Sequence, residues 1–513
     1  MNRRSGDTTL DKYVKLMSMN RPLIHPQSPI FYPMHFQKSR REVLRIGGLG
    51  WLGGLAASSL DQLYAAQAAV SDSVKASKPN GFGQAKRCIL LFMWGGPAQQ
   101  DTWDLKPTAP SEFRGEFSPI ATSVPNISIC EHFPQLAKQA HRLTIIRSMT
   151  HRDVNHTTAT HEILTGRPIP RVGGGDFRED WPHYGAVMAR LKPQSRQSAL
   201  PPYVQMRPEI VDGAPRFVES SHGQGGGWMG PNFEPMTIDD NPGLPTYHPA
   251  TLSLPDGLTL ERLGGRRALS DALETARFAL NPAPSWSANP MPAAMSGHYA
   301  RAHSLLNDRK SLEAFDLTRE DPKLRERYGM TAHGQSVLQG RRLVEAGVPI
   351  VTLFWPNEGL TNVSVYWDTH NRNFIDLKTR LMPPADQAFS TLLDDLESRG
   401  MLDDTLIVWS GEFGRTPRVG QAVVGGAGAG RDGRDHWPHC FSTVLAGAGI
   451  KKGYVHGSSD KYAAYPSRDP VTSADLAATI YHLLGIDPDT ELRDNLDRPM
   501  ALTTGKVVQE LLA

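Results

Sequence analysis

The 513-residue sequence carries only three cysteines, Cys88, Cys130 and Cys440. That is too few for a disulfide-built scaffold or a cysteine-based zinc module. It lacks an excess of either charge: 55 Lys and Arg stand against 53 Asp and Glu, for a net charge of +2. No basic field therefore points to nucleic acid, and no acidic block points to disorder. Nor is there a membrane-length apolar run. Ile46 to Ser58 falls well short of the ~20 residues that span a bilayer, which argues against a permanent membrane span. What is plentiful is glycine (47), proline (40) and histidine (18). Gly and Pro reach about 17% of the chain against a usual ~12%, so many residues must sit in loops.

The N-terminus reads as an address. Ser39-Arg40-Arg41-Glu42-Val43-Leu44-Arg45 precedes that short apolar run, and Ala66-Gln67-Ala68 follows it. A basic start, a short apolar stretch and an A-x-A site form a twin-arginine export signal. This predicts residues 1–68 as a signal region, the twin-arginine machinery as a partner, and a periplasmic or extracellular destination. Residues 1–68 hold nine Lys/Arg and four Asp/Glu, so the remaining chain has 46 basic against 49 acidic residues and a net charge of −3. The basic excess belongs to the signal.

Beyond it, residues 69–513 read as one α/β domain. Arg87 to Met93, Pro349 to Phe354, Thr405 to Trp409 and Cys440 to Ala446 are apolar runs typical of strands buried on both faces. Helices are predicted over Ser336–Ala346, Ala385–Arg399 and Thr472–Leu484, stopped by Gly347, Gly400 and Gly485. This alternation predicts a doubly wound, mostly parallel sheet flanked by helices, with ligands at the strands' carboxyl ends. Residues from about 170 to 330 carry Gly and Pro clusters and read as a loop-rich insertion over that edge. Gly428 to Gly433 fits G-x-G-x-x-G but joins no strand to a helix, so it is no dinucleotide site.

Five constellations carry chemistry. Asn155 can cap a short helix ending at Gly166, whose first N–H groups, at Thr157 and Thr158, would cradle an anion beside His151, His156, Arg147 and Arg152. Asp368 and His370 can share one cation. Glu412 lies just past a buried strand as a hard ligand, with Arg415 placed to hold an oxyanion. His436 and His439 sit in a loop beside Trp437 and Pro438. Asp101 or Asp104 offers a carboxylate after the first strand. Together these predict divalent metal ions (zinc, manganese, calcium or magnesium) and an anionic ester substrate. Asp368, His370 and His436 are assigned to one metal and Asp101 with Glu412 to a second. His156 or Thr157 serves as nucleophile or ligand, and Arg415 serves the anion.

Gly95-Gly96-Pro97-Ala98-Gln99-Gln100-Asp101-Thr102-Trp103-Asp104, Tyr328 with Gly334-Gln335-Ser336, Arg341 to Val348 and Gly411-Glu412-Phe413-Gly414-Arg415-Thr416-Pro417 resemble a secreted bacterial family, domain of unknown function fifteen-oh-one. The resemblance implies an alkaline phosphatase-like or sulfatase-like fold, with metals at the strand ends. Leu164-Thr165-Gly166 resembles the end of that superfamily's nucleophile helix, which places His156 where a Ser, Thr or Cys is usual. Glu412-Phe413 stands where an Asp-His or Asp-Asn pair is usual, and His436 resembles the last metal histidine. No cysteine has the C-x-[PA]-x-R context of a formylglycine sulfatase. The resemblance implies an exported metal-dependent hydrolase of phosphate- or sulfate-type esters. The alternative is a non-catalytic secreted binding or assembly protein that has kept the fold.

Overall fold

An apolar run such as Arg87–Phe92 has no polar face to offer water, so it is stable only as a strand covered on both sides. The computed structural model describes residues 80–171, 175–192, 199–208, 218–254, 257–280, 300–358, 360–494 and 496–513. The predicted signal region lies outside these residues, as do Gly173, Gly174 and the Pro-rich stretch 281–292. The described residues fall within one unit, Ser77–Ala513.

Among the described residues, nine strands build the main sheet. In chain order they are β1 (Arg87–Phe92), β2 (Leu143–Thr150), β3 (Tyr203–Met206), β4 (Met236–Ile238), β5 (Ile350–Phe354), β6 (Thr405–Ser410), β7 (Phe441–Ala446), β8 (Tyr454–His456) and β9 (Val471–Thr472). Their spatial order is β8-β2-β7-β6-β1-β5-β3-β4, with β9 also beside β2. β1 lies at the centre, parallel to β5 and β6, with Cys88 opposite Ile350 on one side and Leu406 on the other. β5, β6 and β7 are buried along their whole length. The predicted architecture, a mostly parallel sheet flanked by helices, is the one observed.

Two expectations need correction. The Cys440 strand was expected to run parallel with the others, but β7 is antiparallel to both β6 and β2. The 170–330 segment is not only a cover over the sheet's edge, because β3 and β4 within it extend the sheet in parallel beyond β5.

The helices start and stop where the sequence supplies partners for their free backbone groups. α1 (His156–Thr165) is capped by the Asn155 side chain and ends at left-handed Gly166. α2 (Ala332–Ala346) is capped by Thr331 and ends at Gly347. α3 (Met382–Ser398) presents Phe389, Leu392, Leu393 and Leu396 to the core. α4 (Ser473–Leu483) begins with a Thr472–Asp475 capping box, which satisfies two orphan N–H groups reciprocally. No helix among the described residues is long and apolar enough to cross a membrane.

Candidate metal centre

Four strand ends converge on one point. β5 continues through a loop to Asp368 and His370, and β6 runs two residues further to Glu412. β2 leads to α1, whose first residue is His156. His436 precedes β7 in the chain, yet it arrives at the same edge. The reversal of β7 explains this, since Phe441 at its start pairs with Met149 near the end of β2. Two glycines let the loops close on one another. Gly95 has φ +110°, and a side chain there would meet the Asp368 backbone at 2.4 Å. A Cβ on Gly433 would lie 1.6 Å from the His370 carbonyl.

His156, Asp368, His370 and His436 place one donor atom each within 4.8 Å of one another. The three histidine Nε2 atoms surround Asp368 Oδ1, His370 at 2.8 Å, His156 at 3.2 Å and His436 at 3.4 Å. Four donors at zinc-bond lengths in a tetrahedron stand roughly 3.3 Å apart, so this spacing suits such an ion.

The other ring nitrogens fix which face each histidine offers. His370 Nδ1 donates to the Gly428 carbonyl, and His436 Nδ1 donates to the Val154 carbonyl at 2.7 Å. A carbonyl only accepts, so in each neutral ring the proton sits on Nδ1 and Nε2 carries a lone pair. Those two Nε2 atoms face each other at 2.9 Å. Two lone pairs so placed repel unless a cation or proton lies between them. His156 Nδ1 contacts Glu412 Oε1, and its buried Nε2 makes no aligned hydrogen bond despite lying near Asp368. A buried polar atom without a partner is costly, and a metal ion would satisfy it.

The electrostatics agree. Burial alone would lower the pKa of His156, but the Asp368 and Glu412 carboxylates outweigh it and raise the value to about 9. The spot therefore stabilises positive charge. Burial brings His436 down to about 4, with Asp368 opposing and Arg415 and His156 assisting. Burial penalises the Asp368 carboxylate, but His156 and Arg415 together hold it well below the usual range.

Several sequence-predicted residues take other places. Asp101 does not join the group, because its two oxygens accept from Arg434 at 2.7 and 3.1 Å and Oδ2 also accepts from Asn373. The pairing of Asp101 with Glu412 around a second metal is therefore not the arrangement found. Glu412 stands behind His156, its Oε1 also accepting the Gly95 N–H at 2.8 Å. Arg415 is fully buried, and its guanidinium serves the carbonyls of Gly95, Gly96 and Arg434 as well as Asp368. It has no fork left for an anion and acts by holding Asp368. Thr157 gives both its N–H and its hydroxyl to Asn155, at 2.9 and 2.8 Å. The Thr157 N–H of the expected cradle is thus taken by the cap itself. His151 turns inward to the Glu412 carbonyl at 2.6 Å.

Sequence reasoning missed four supports. Asp435 is buried and accepts N–H groups from Val423, Ala427 and Gly428, which curls the Gly-rich loop so that Gly428 faces His370. Its place directly before His436 was the available signal. Trp94 stacks on His156, with ring centroids 4.5 Å apart. The Gly428 and Val154 carbonyls have no sequence signature at all. The centre opens on a cleft of about 680 Å³, whose walls include Trp94, Asn362, Val363, Ser364, Val365 and Arg372.

Fold and site thus define a mixed α/β protein with a three-histidine, one-aspartate centre at the sheet's carboxyl edge. The chain matches the family described as "Protein of unknown function (DUF1501)" over residues 85–512 and belongs to it. No curated protein matches the chain. Among solved structures it is similar to the sulfatase PsFucS1 from Pseudoalteromonas sp., at 14% identity over 89% of this chain and 77% of that one, TM-score 0.36. It is similar to the phosphonate monoester hydrolase SpPMH from Silicibacter pomeroyi, at 13% identity over 83% and 76%, TM-score 0.36. A protein in the alkaline phosphatase superfamily from Vibrio parahaemolyticus shares 12% identity over 85% and 72%, TM-score 0.35.

Proposed function

We propose that the chain is an exported hydrolase of phosphate- or sulfate-type esters that uses one divalent metal ion held by His156, Asp368, His370 and His436. The observation that carries this reading is the set of three Nε2 atoms turned onto one carboxylate oxygen, two of them at 2.9 Å from each other. Imidazole and carboxylate donors favour zinc or manganese over calcium and magnesium, which prefer all-oxygen sites. An ion there supplies Lewis-acid polarisation of an ester oxygen and acidification of water.

The chain's own residues do the rest. Glu412 and the two carbonyls orient the rings, and Arg415 keeps Asp368 ionised and aimed. Trp94, Val363 and Val365 give the cleft apolar walls. His156 gives Nδ1 to Glu412 and would give Nε2 to the metal, and Thr157 is tied to its cap, so neither is placed as a nucleophile, and attack falls to water. The twin-arginine pattern at residues 39–68 supports export in the folded, metal-bearing state, through the twin-arginine machinery.

Metal analysis of the gently purified protein tests the reading, together with a panel of phosphate mono- and diesters and sulfate esters. Close to one metal per chain is expected, with hydrolysis of one ester class and its loss in His156→Ala. Less than about 0.2 metal per chain would end it, since an assembled site of this kind keeps its ion through purification. Metal without turnover would instead leave a binding protein, the reading favoured by the histidine at position 156.

A further inference from the structure

The cleft has one obvious need that the sequence assigned to the wrong residue. An anionic ester calls for a cation at its non-bridging oxygens, and Arg415 is spent on carbonyls and Asp368. Arg434 is likewise closed, engaged by Asp101 and by the carbonyls of Thr416 and Pro417. Arg380 lies under the cleft wall, bound to Glu358 and to the Ser364 carbonyl. Among the described residues, the one Lys or Arg lining the cleft is Arg372, two positions after His370.

Its surroundings differ from those of the other three. Asp376 contacts Arg372 only through Nε, at 3.4 Å. The carboxylate already accepts the Ser364 N–H at 2.6 Å on its other oxygen and lies 3.8 Å from Arg380 Nε. Asp432 adds a more distant negative charge. The side chain of Arg372 is 45% exposed, while Asp376 is fully buried. A buried carboxylate thus anchors the guanidinium at Nε, and among the described residues the two terminal nitrogens meet no protein acceptor. That is how an arginine presents its fork to a planar pair of oxygens.

We propose that Arg372 is the anion-reading residue of this cleft, binding two non-bridging oxygens of the ester and so favouring monoesters over diesters. The inference rests on the hydrolase reading above. A monoester keeps three non-bridging oxygens, enough to supply two to the fork while the third faces the histidine-aspartate group. A diester keeps two and cannot supply both sites fully.

The test compares wild type, Arg372→Ala and Arg372→Lys, each metal-loaded, on p-nitrophenyl phosphate, p-nitrophenyl sulfate and bis(p-nitrophenyl) phosphate. For the best monoester, Arg372→Ala is expected to raise KM roughly 10- to 100-fold, the loss of a charge-assisted pair. Little change is expected in kcat or metal content, and a smaller effect on the diester. Arg372→Lys, a point charge without the fork, should fall between. Inorganic phosphate as inhibitor should weaken in the same order. An unchanged KM and unchanged phosphate inhibition in an active, metal-loaded Arg372→Ala would overturn this inference alone. Equal losses on all three esters, or loss of metal, would reassign Arg372 to structure. A wild type that holds no metal and cleaves none of the three removes the hydrolase reading, and this inference with it.

Discussion

Glu412 is buried, one oxygen holds both the Gly95 N–H and His156 Nδ1, and the other lacks a partner. A carboxylate in that position fixes the tautomer of a metal-binding histidine and raises its basicity without touching the ion. The sequence assigned Glu412 to a second metal, a reasonable reading of a carboxylate at a strand's end. What it could not show was that His156 would come between Glu412 and the centre. Glu412→Gln keeps the shape and the acceptor but removes the charge. Its zinc affinity, titrated in a metal buffer, is expected to drop about 10- to 100-fold. His156→Ala, which removes a donor, should lose more. Equal affinity in Glu412→Gln and wild type would mean that the carboxylate does not serve His156.

Among the elements, the strand β7 and the loop before it decide how the centre assembles. The loop packs against the Asp368–His370 turn so tightly that Gly433 has no room for a side chain. Gly433→Ala must push on the backbone of His370 itself. The expected cost is about 1–3 kcal/mol, the usual penalty of overpacking, with zinc affinity falling in parallel because His370 moves. A Gly433→Ala protein with wild-type melting temperature and zinc affinity would show the loop to be slack. Periodicity and apolar runs made the central strands and the capped helices legible, since burial on both faces and capping residues leave local marks. Strand direction leaves none. Nothing within Cys440 to Ala446 says that β7 runs backwards, and it is the reversal that carries His436 to the ligand edge. In the same way β3 and β4, each of four residues or fewer, are too short to stand out in a Gly- and Pro-rich stretch. Asp368, His370 and His436 could be proposed from residue type and position. The tethers that aim them, the Gly428 and Val154 carbonyls, are backbone groups brought there by tertiary packing.

At the scale of the whole molecule, four buried histidines outside the centre contribute to its response to acid. His161, His183 and His333 lie in the interior with His151. Burial lowers their pKa values to about 4 for His151 and His161, and about 3 for His183 and His333. Each is neutral in the folded protein and takes up a proton near pH 6.5 once unfolded. A depressed folded-state value means that the unfolded state binds more protons between about pH 6.5 and 4, so stability falls as pH falls through that window. With four such groups acting together, the fall should be steep, approaching four protons near pH 5 from these sites alone. His333 is the best one to remove, because its ring packs on Trp355 at 4.1 Å and a phenylalanine can keep that stack. His333→Phe should retain the neutral-pH melting temperature within a few degrees. Between pH 6 and 4.5 its unfolding free energy should depend on pH less steeply by about one proton, or roughly 1.4 kcal/mol per pH unit. Denaturant titrations of the metal-free protein at half-unit pH steps give that slope directly. If the slope of His333→Phe matches the wild type, His333 takes up its proton in the folded interior as readily as in the unfolded chain, and the acid response comes from other groups.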